Sequence, residues 1–170
     1  MINENTILIV VLLAAAIFDY RFRKVPNYIT FSAIVCGVAI ALLNGGLTGL
    51  PAPAMGLFLG IALLSVPYSM GGIGAGDVKL LGAIGAIKGP TFVFTAFLAA
   101  AIIGGIMAVY RMVFIIKGSD MMVLRDSLKT VYYTGALSAI QVPEYALKEK
   151  LPYAVAISAG AVVALILEMR

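Results

Sequence analysis

Two aspartates border apolar stretches of this chain. Asp19 ends the first apolar stretch, and Asp77 opens a short later one, directly after a run of glycines. An acidic side chain at the edge of a membrane-spanning helix is costly and indicates a functional site. Two carboxylates held close together share a proton, so one can deprotonate a water while the other protonates a carbonyl oxygen. This is the chemistry of aspartic peptide hydrolysis, which requires no His, Cys or metal.

The remaining residue types exclude several other chemistries. The chain has no His, which excludes Ser-His and Cys-His nucleophilic systems and His-ligated zinc. It has one Cys, Cys36, which cannot form an internal disulfide or a four-Cys zinc site. We predict that Cys36 is a small buried hydrophobe. Gly74-Ala75-Gly76 lacks the third glycine of a dinucleotide-binding loop. We therefore expect neither a metal nor a cofactor.

Each aspartate also has a purely structural interpretation. Asp19 could pair with Arg21 or Arg23 as an anchor at the membrane interface. Asp77 could cap the helix that follows it. For each residue taken alone, the structural and the catalytic interpretations both stay open.

The composition places these residues in a membrane protein. Of the 170 residues, 62% are hydrophobic and 12% are charged, and the mean hydropathy is +1.08. Soluble domains are about half apolar and a quarter charged. These values exclude a soluble enzyme, a disordered chain and a nucleic-acid-binding domain. We predict an all-α integral membrane protein that forms a single membrane-embedded domain over residues 1–170, with the lipid bilayer as a partner.

The apolar stretches predict a bundle of about six transmembrane helices, since a spanning helix needs about 20 apolar residues. The stretches are about Ile2–Phe18, Tyr28–Leu43, Ala54–Met70, Val78–Ile87, Thr91–Val109 and Leu151–Leu167. No basic residue precedes the first, so we interpret it as a retained helix and not as a signal peptide. The fourth covers only about 15 Å. We expect this helix to begin at Asp77, after glycines that allow a close backbone approach.

Lys and Arg predict the orientation, because cytoplasmic loops are enriched in them. With the N-terminus outside, ten of the twelve basic residues lie on the cytoplasmic side and only Lys88 and Arg170 lie outside. Both termini then face away from the cytoplasm, and the connection over about 110–150 is cytoplasmic. Asp19 and Asp77 share the cytoplasmic edge, so they can meet in space.

Two further patterns concern packing. Met121, Leu124, Leu128, Val131 and Tyr132 have helical spacing within the long connection. They indicate either a helix lying at the membrane interface or a solvated connector, and both interpretations stay open. The small residues of Gly56-x-x-x-Gly60 favour packing within the chain over dimerisation.

At these residues the chain resembles the prepilin peptidase (type IV leader peptidase) family of membrane aspartyl proteases. One signature is Asp19 with the basic tail that starts at Arg21 and ends in Pro26-Asn27. The other is Gly74-Ala75-Gly76-Asp77-Val78-Lys79, which is similar to the G-x-G-D motif of the family with its usual Lys. The resemblance runs from the first span to the last.

The resemblance implies that Asp19 and Asp77 are the catalytic pair of an endopeptidase in the cell membrane. The substrate would be a type IV pilin-like precursor, whose short basic leader is removed at the cytoplasmic face. The chain is similar to the short, peptidase-only branch found in tight-adherence (Flp) pilus systems. We therefore expect no methylating domain, which in other members carries paired Cys-x-x-Cys motifs.

Several assignments stay open. The cluster Arg21, Arg23 and Lys24 fits a positive-inside anchor. Lys79 either biases which carboxylate holds the shared proton or extends to the interface. The competing functions are a small proton-coupled transporter and a non-enzymatic pilus-assembly scaffold. The oligomeric state cannot be inferred from the sequence.

Overall fold

The computed structural model describes residues 3–115, 125–126, 129–130, 132–133 and 153–169, and within these ranges the regular structure is helical. Residues 3–115 and 153–169 contain the six α-helices α1 (Glu4–Phe22), α2 (Asn27–Gly45), α3 (Pro51–Ser69), α4 (Ala75–Lys88), α5 (Pro90–Ile115) and α6 (Tyr153–Glu168). A short 3-10 helix, Gly46–Gly49, follows α2. The all-α prediction is confirmed for these residues.

Four of these helices are long and apolar enough to cross a membrane, namely α1, α2 with its 3-10 extension, α3 and α5. They carry many large apolar side chains on their outer faces, as lipid-facing helices do. The chain is therefore an integral membrane protein. The other two helices are shorter: α4 has 14 residues and α6 has 16. The count of six spans stays a prediction.

The chain divides into two compact units. One combines Met1–Gly104 with Pro152–Arg170, and the other is Gly105–Leu151. In the second unit the described residues 125–126, 129–130 and 132–133 are helical, and the Thr130 hydroxyl donates to the Asp126 carbonyl oxygen at 2.9 Å. In the predicted interfacial pattern Tyr132 is helical and exposed. Its other members, Met121, Leu124, Leu128 and Val131, lie outside the described residues.

The most buried helix of the first unit is α4. Its apolar residues from Val78 to Ile87 are all buried, although the helix is too short to qualify as a span by itself. Helix α3 packs closely on α4 because glycines face each other. A Cβ on Gly56 would collide with the Gly85 backbone, and one on Gly60 would lie 2.6 Å from the Leu81 carbonyl oxygen. The small-residue pattern of α3 thus serves packing within the chain, as predicted.

One end of α4 is held by an ion pair. The Lys88 Nζ lies 2.8 Å from Glu168 Oε2, at the end of α6. It also donates to Asn5 Oδ1, in the first turn of α1, at 3.0 Å, and lies 5.4 Å from the centre of the Phe92 ring of α5. The beginning of α1 and the ends of α4 and α6 therefore meet here. It follows that the end of α1 and the beginnings of α4 and α6 lie at the opposite end of this unit.

Two local predictions are wrong. Cys36 is exposed, not buried, because in a membrane protein an apolar run can face lipid as well as the core. Helix α4 begins at Ala75 and not at Asp77. The glycines allow the helical turn to start two residues earlier, which leaves Asp77 inside the first turn.

Candidate active site

Asp19 lies in the last turns of α1 and points into the first unit. Asp19 is buried, with 5% of its surface exposed. Leu8, Leu12 and Ala15 precede it at helical spacing and are fully or almost fully buried. The same face of α1 therefore carries apolar packing residues along its length and a carboxylate at its end. This pattern explains why a charged side chain is buried here.

The first turn of α6 binds the Asp19 carboxylate. The backbone N–H of Ala154 donates to Asp19 Oδ2 at 3.0 Å, and the next amide, that of Val155, also interacts with the carboxylate. Amides in the first turn of a helix have no partner within the helix, and the positive end of the helix dipole favours an anion. Arg23 adds an electrostatic interaction. The interpretation of Asp19 as an anchor at the membrane interface stays a prediction.

Asp77 is the third residue of α4 and is 8% exposed. Its Oδ2 accepts a hydrogen bond from the backbone N–H of Gly74 at 3.1 Å. The capping interpretation is therefore confirmed. Because this bond folds the carboxylate back over the helix start, capping also fixes where the acidic group lies.

Steric crowding explains why both glycine positions of the G-x-G-D segment hold glycine. A Cβ on Gly74 would lie 3.2 Å from Asp77 Oδ2, where it would crowd the capping carboxylate. A Cβ on Gly76 would lie 3.3 Å from both the Cβ and the carbonyl oxygen of Val25. Gly76 therefore lets the start of α4 pack against the connection between α1 and α2.

The other predicted site residues either connect the two signatures or lie on the outer surface. Lys79 Nζ donates to Asn27 Oδ1 at 2.9 Å, which links the start of α4 to the start of α2. Pro26 occupies the position just before α2. Arg21 is exposed, with its guanidinium 5.8 Å from the centre of the Phe22 ring. Lys79 and Asn27 thus link the two signatures, Pro26 precedes α2, and Arg21 lies on the outer surface.

The two aspartates lie at the same end of the first unit. Asp19 accepts the hydrogen bond of Ala154, and the neighbouring residue, Tyr153, interacts electrostatically with Asp77. Tyr153 belongs to neither signature and was not predicted as a site residue. An aromatic residue with a polar tip at the start of an apolar helix was the only signal, and many such residues simply mark a membrane interface.

An apolar groove and a metal-binding group would be the other possible sites. A groove of about 410 Å³ between α1 and α2 is lined mostly by apolar residues, including Val10, Ala14 and Cys36. It contains no carboxylate among its lining residues, and its α1 face is not the one that carries Asp19. Among the described residues, no three His, Cys, Asp or Glu side chains are grouped so that they could hold a metal ion.

Comparison with known proteins identifies the family. The model of the type IV leader peptidase family matches residues 6–109, a range that includes both aspartates and the glycine segment. No curated protein and no solved structure matches the chain. The matched range is more than half of the 170 residues. The chain therefore belongs to the type IV leader peptidase family.

Proposed function

We propose that this protein is an aspartic endopeptidase of the cell membrane that removes the short basic leader from type IV pilin-like precursors. Asp19 and Asp77 form its catalytic pair. The observation that carries the proposal is the burial of both carboxylates at the same end of the first unit, Asp19 on the first turn of α6 and Asp77 in the first turn of α4. Membership of the family supports a peptidase, and the family supplies the class of substrate.

The arrangement suits a shared-proton mechanism. In the resting pair one carboxylate is ionised and the other is protonated. The ionised carboxylate takes a proton from a water, whose oxygen attacks the scissile carbonyl carbon. The protonated carboxyl gives its proton to the carbonyl oxygen, and a tetrahedral diol forms. The carboxyl that took the proton of the water then gives it to the leaving nitrogen, while the other carboxylate takes a proton from a hydroxyl of the diol. The carbon–nitrogen bond breaks, and the singly protonated pair is regenerated.

The helix starts stabilise the charge that this cycle requires. Asp19 accepts from the first turn of α6, and Asp77 lies within the first turn of α4. Both carboxylates therefore lie at the positive ends of helix dipoles, which offset part of the cost of burying their charge. The backbone provides this stabilisation, so it needs no buried cation close to the water.

The basic residues favour the cytoplasmic face for the site. Arg21, Arg23 and Lys24 follow Asp19 directly, and Lys79 follows Asp77. By the positive-inside rule this edge faces the cytoplasm, and both termini lie on the other side. A precursor whose basic leader stays in the cytoplasm would bring its scissile bond to this edge.

A cleavage assay tests the proposal. The purified protein in detergent is mixed with a pilin-like precursor from the same genome, and the products are identified by mass spectrometry. We expect one cut, which releases the leader, and loss of the cut in both Asp19→Asn and Asp77→Asn. Asn keeps the size of the side chain, so a scaffold should tolerate either change. Cleavage that persists in either Asn variant would exclude the aspartic mechanism.

A further inference from the structure

Helix α6 carries neither of the two signatures and lies beyond the residues that the family model matches. It is nevertheless part of the apolar core of the first unit. Three of its apolar residues are at most 1% exposed, namely Ala154, Ile157 and Ala161. Gly160 packs closely on α5, since a Cβ on this glycine would lie 2.5 Å from the Ala100 backbone nitrogen. The position of α6 in the first unit is therefore fixed by close packing.

Two hydrogen bonds join α6 to α1. The backbone N–H of Ala154 donates to Asp19 Oδ2 at 3.0 Å, and the Ser158 hydroxyl donates to the Leu12 carbonyl oxygen at 3.2 Å. Both bonds are buried. Because Ala154 and Ser158 are four residues apart, they lie on the same face of α6. The two bonds together restrict how far α6 can shift along α1 or rotate against it.

The bond to Asp19 connects a predicted catalytic group to a distant part of the chain. The Ala154 amide belongs to the first turn of α6, where an N–H has no partner within the helix. Asp19 is so buried that few water molecules can compete for its carboxylate, and a hydrogen bond from a fixed amide then restricts how the group turns. Asp77 differs, because its hydrogen bond comes from Gly74, only three residues earlier. The orientation of Asp19 thus depends on where α6 lies.

We propose that Ala154 is a positioning residue of the peptidase, whose backbone N–H orients the Asp19 carboxylate for proton transfer. The inference rests on the proposed function. It makes α6 a part of the catalytic site, although the helix contributes no acidic side chain there. Every residue except proline can supply this N–H. The requirement therefore concerns the place of α6 and not the side chain at position 154.

Replacement of Ala154 by lactic acid tests this role. The hydroxy acid, introduced by nonsense suppression, turns the amide into an ester, which removes the N–H and keeps the methyl group. We expect kcat for precursor cleavage to fall about 10- to 100-fold, as for the loss of a hydrogen bond to a charged group. KM should stay within about twofold, because Ala154 is fully buried and cannot contact the precursor.

The pH profile provides a readout that a packing role would not change. An N–H that donates to a carboxylate favours its ionised form, so its loss moves ionisation of the pair to higher pH. We expect the kcat profile of the ester variant to move upward by about one pH unit. The other titratable side chains at this end of α1, α4 and α6 are the same in both proteins, namely Tyr20, Arg21, Arg23, Asp77, Lys79 and Tyr153.

A matched control separates positioning from the general effect of an ester in a helix. Ala52 is the second residue of α3, as Ala154 is of α6, and it is exposed near Gly89, at the Lys88 end. Lactic acid at position 52 should leave kcat and the pH profile at wild-type values. The thermal midpoint of the Ala154 ester should stay close to that of the Ala52 ester, since the methyl group is retained in both.

A second pair of variants changes the support of the bond and not the bond itself. Ser158→Ala removes the hydroxyl that joins α6 to α1, and we expect kcat to fall about two- to threefold with KM unchanged. Ser65→Ala is its control, because the Ser65 hydroxyl bonds to the Ile61 carbonyl oxygen within α3 at 2.7 Å. We expect wild-type kcat for this control.

The inference would be overturned if the Ala154 ester kept the kcat and pH profile of the wild type while the Asn variants of the aspartates were inactive. It would also be overturned if the loss of activity in the ester matched a loss of folded protein, since Ala154 would then only stabilise the fold. Cleavage that survives in Asp19→Asn or Asp77→Asn would instead reject the catalytic pair, and the role of Ala154 with it.

Discussion

Helices α1, α4 and α6 carry charged side chains at both of their shared ends, but the charges are arranged differently. At one end, Lys88 and Glu168 form a direct ion pair at 2.8 Å, and Asn5 accepts a further hydrogen bond from the lysine. At the other end, the same three helices hold two groups of like charge, Asp19 on the first turn of α6 and Asp77 in the first turn of α4. Opposite charges are paired at the first end, and like charges are gathered at the second.

This difference separates stability from chemistry. An ion pair between neighbouring helices lowers the free energy of the folded state and has no proton to exchange near neutral pH. Two neighbouring carboxylates raise the free energy of the folded state unless they share a proton, and that shared proton is what acid–base catalysis uses. Functional sites commonly cost stability in this way. We infer that the ion pair at Lys88 fixes the positions of α1, α4 and α6 relative to one another. The positions of the two carboxylates at the other end depend on this arrangement.

The largest expected effect is at the aspartate end and affects activity alone. Asp19→Asn and Asp77→Asn should each lower kcat by about 10³-fold or more. Their thermal midpoints should equal or exceed that of the wild type, because the amide oxygen can still accept from Ala154 or Gly74 and the cost of burying the charge of the pair is reduced. Differential scanning fluorimetry in detergent checks this. A marked fall in the thermal midpoint of both variants would show that the aspartates stabilise the fold, as the ion pair at the other end does.

A substitution in the middle of α4 should damage both ends together. Gly85→Val puts a side chain where the Gly56 backbone lies. Because neither backbone can yield, we expect a loss of about 3 kcal/mol in stability. The matched control is Gly105→Ala, at a glycine with open space around it, which should stabilise the helix by up to about 1 kcal/mol. Unfolding in a denaturing detergent compares the two. A wild-type midpoint for Gly85→Val would contradict the close α3–α4 packing.

A smaller effect is expected at the Lys88 end, and it affects stability alone. The Lys88 side chain is 8% exposed and that of Glu168 is 49% exposed, so solvent screens the pair in part. Lys88→Met should therefore cost about 1–2 kcal/mol, less than a fully buried pair would. The kcat of the folded fraction should stay at the wild-type value. The double variant Lys88→Met with Glu168→Gln should cost less than the sum of the two single changes. Strict additivity would show that the ion pair contributes nothing.

The smallest effect is expected for the exposed link between the two signatures. Lys79 donates to Asn27 at 2.9 Å on the surface of the protein. Lys79→Met should change stability by less than about 1 kcal/mol and kcat by no more than about threefold, because an exposed hydrogen bond contributes little. Initial rates of precursor cleavage measure this. A 100-fold loss would assign Lys79 to the chemistry and not to the support of the site.

The sequence predicted the helices better than it predicted their environment. Apolar runs located the six α-helices of residues 3–115 and 153–169 to within six residues at either end, because the cost of unpaired backbone in lipid makes such runs helical. The same runs could not separate lipid-facing from core-facing positions, since both are apolar. Cys36 was therefore assigned to the core and is exposed. The burial of α4 depends on glycines of two helices that face each other, and only the structure shows which ones do.

The candidate site was predictable where it involves charge. Asp19 and Asp77 stood out because carboxylates are rare and costly beside apolar helices. The residues of α6 near the site could not be predicted from the sequence. Ala154 donates its backbone N–H to Asp19, and every residue except proline has such a group. Tyr153 belongs to no sequence motif. Lys88 appeared only as one of two basic residues on the outer side, and its partner Glu168 lies 80 positions further along the chain.

The central claim is that Asp19 and Asp77 act as one unit, and a double-mutant cycle on cleavage tests it most directly. Single-turnover rates are measured for the wild type, Asp19→Asn, Asp77→Asn and the double variant with one pilin-like precursor. Residues that act as a unit are strongly non-additive. We predict that the double variant is no slower than the slower single variant. Losses that multiply, or a single variant that keeps near-normal cleavage, would contradict the claim.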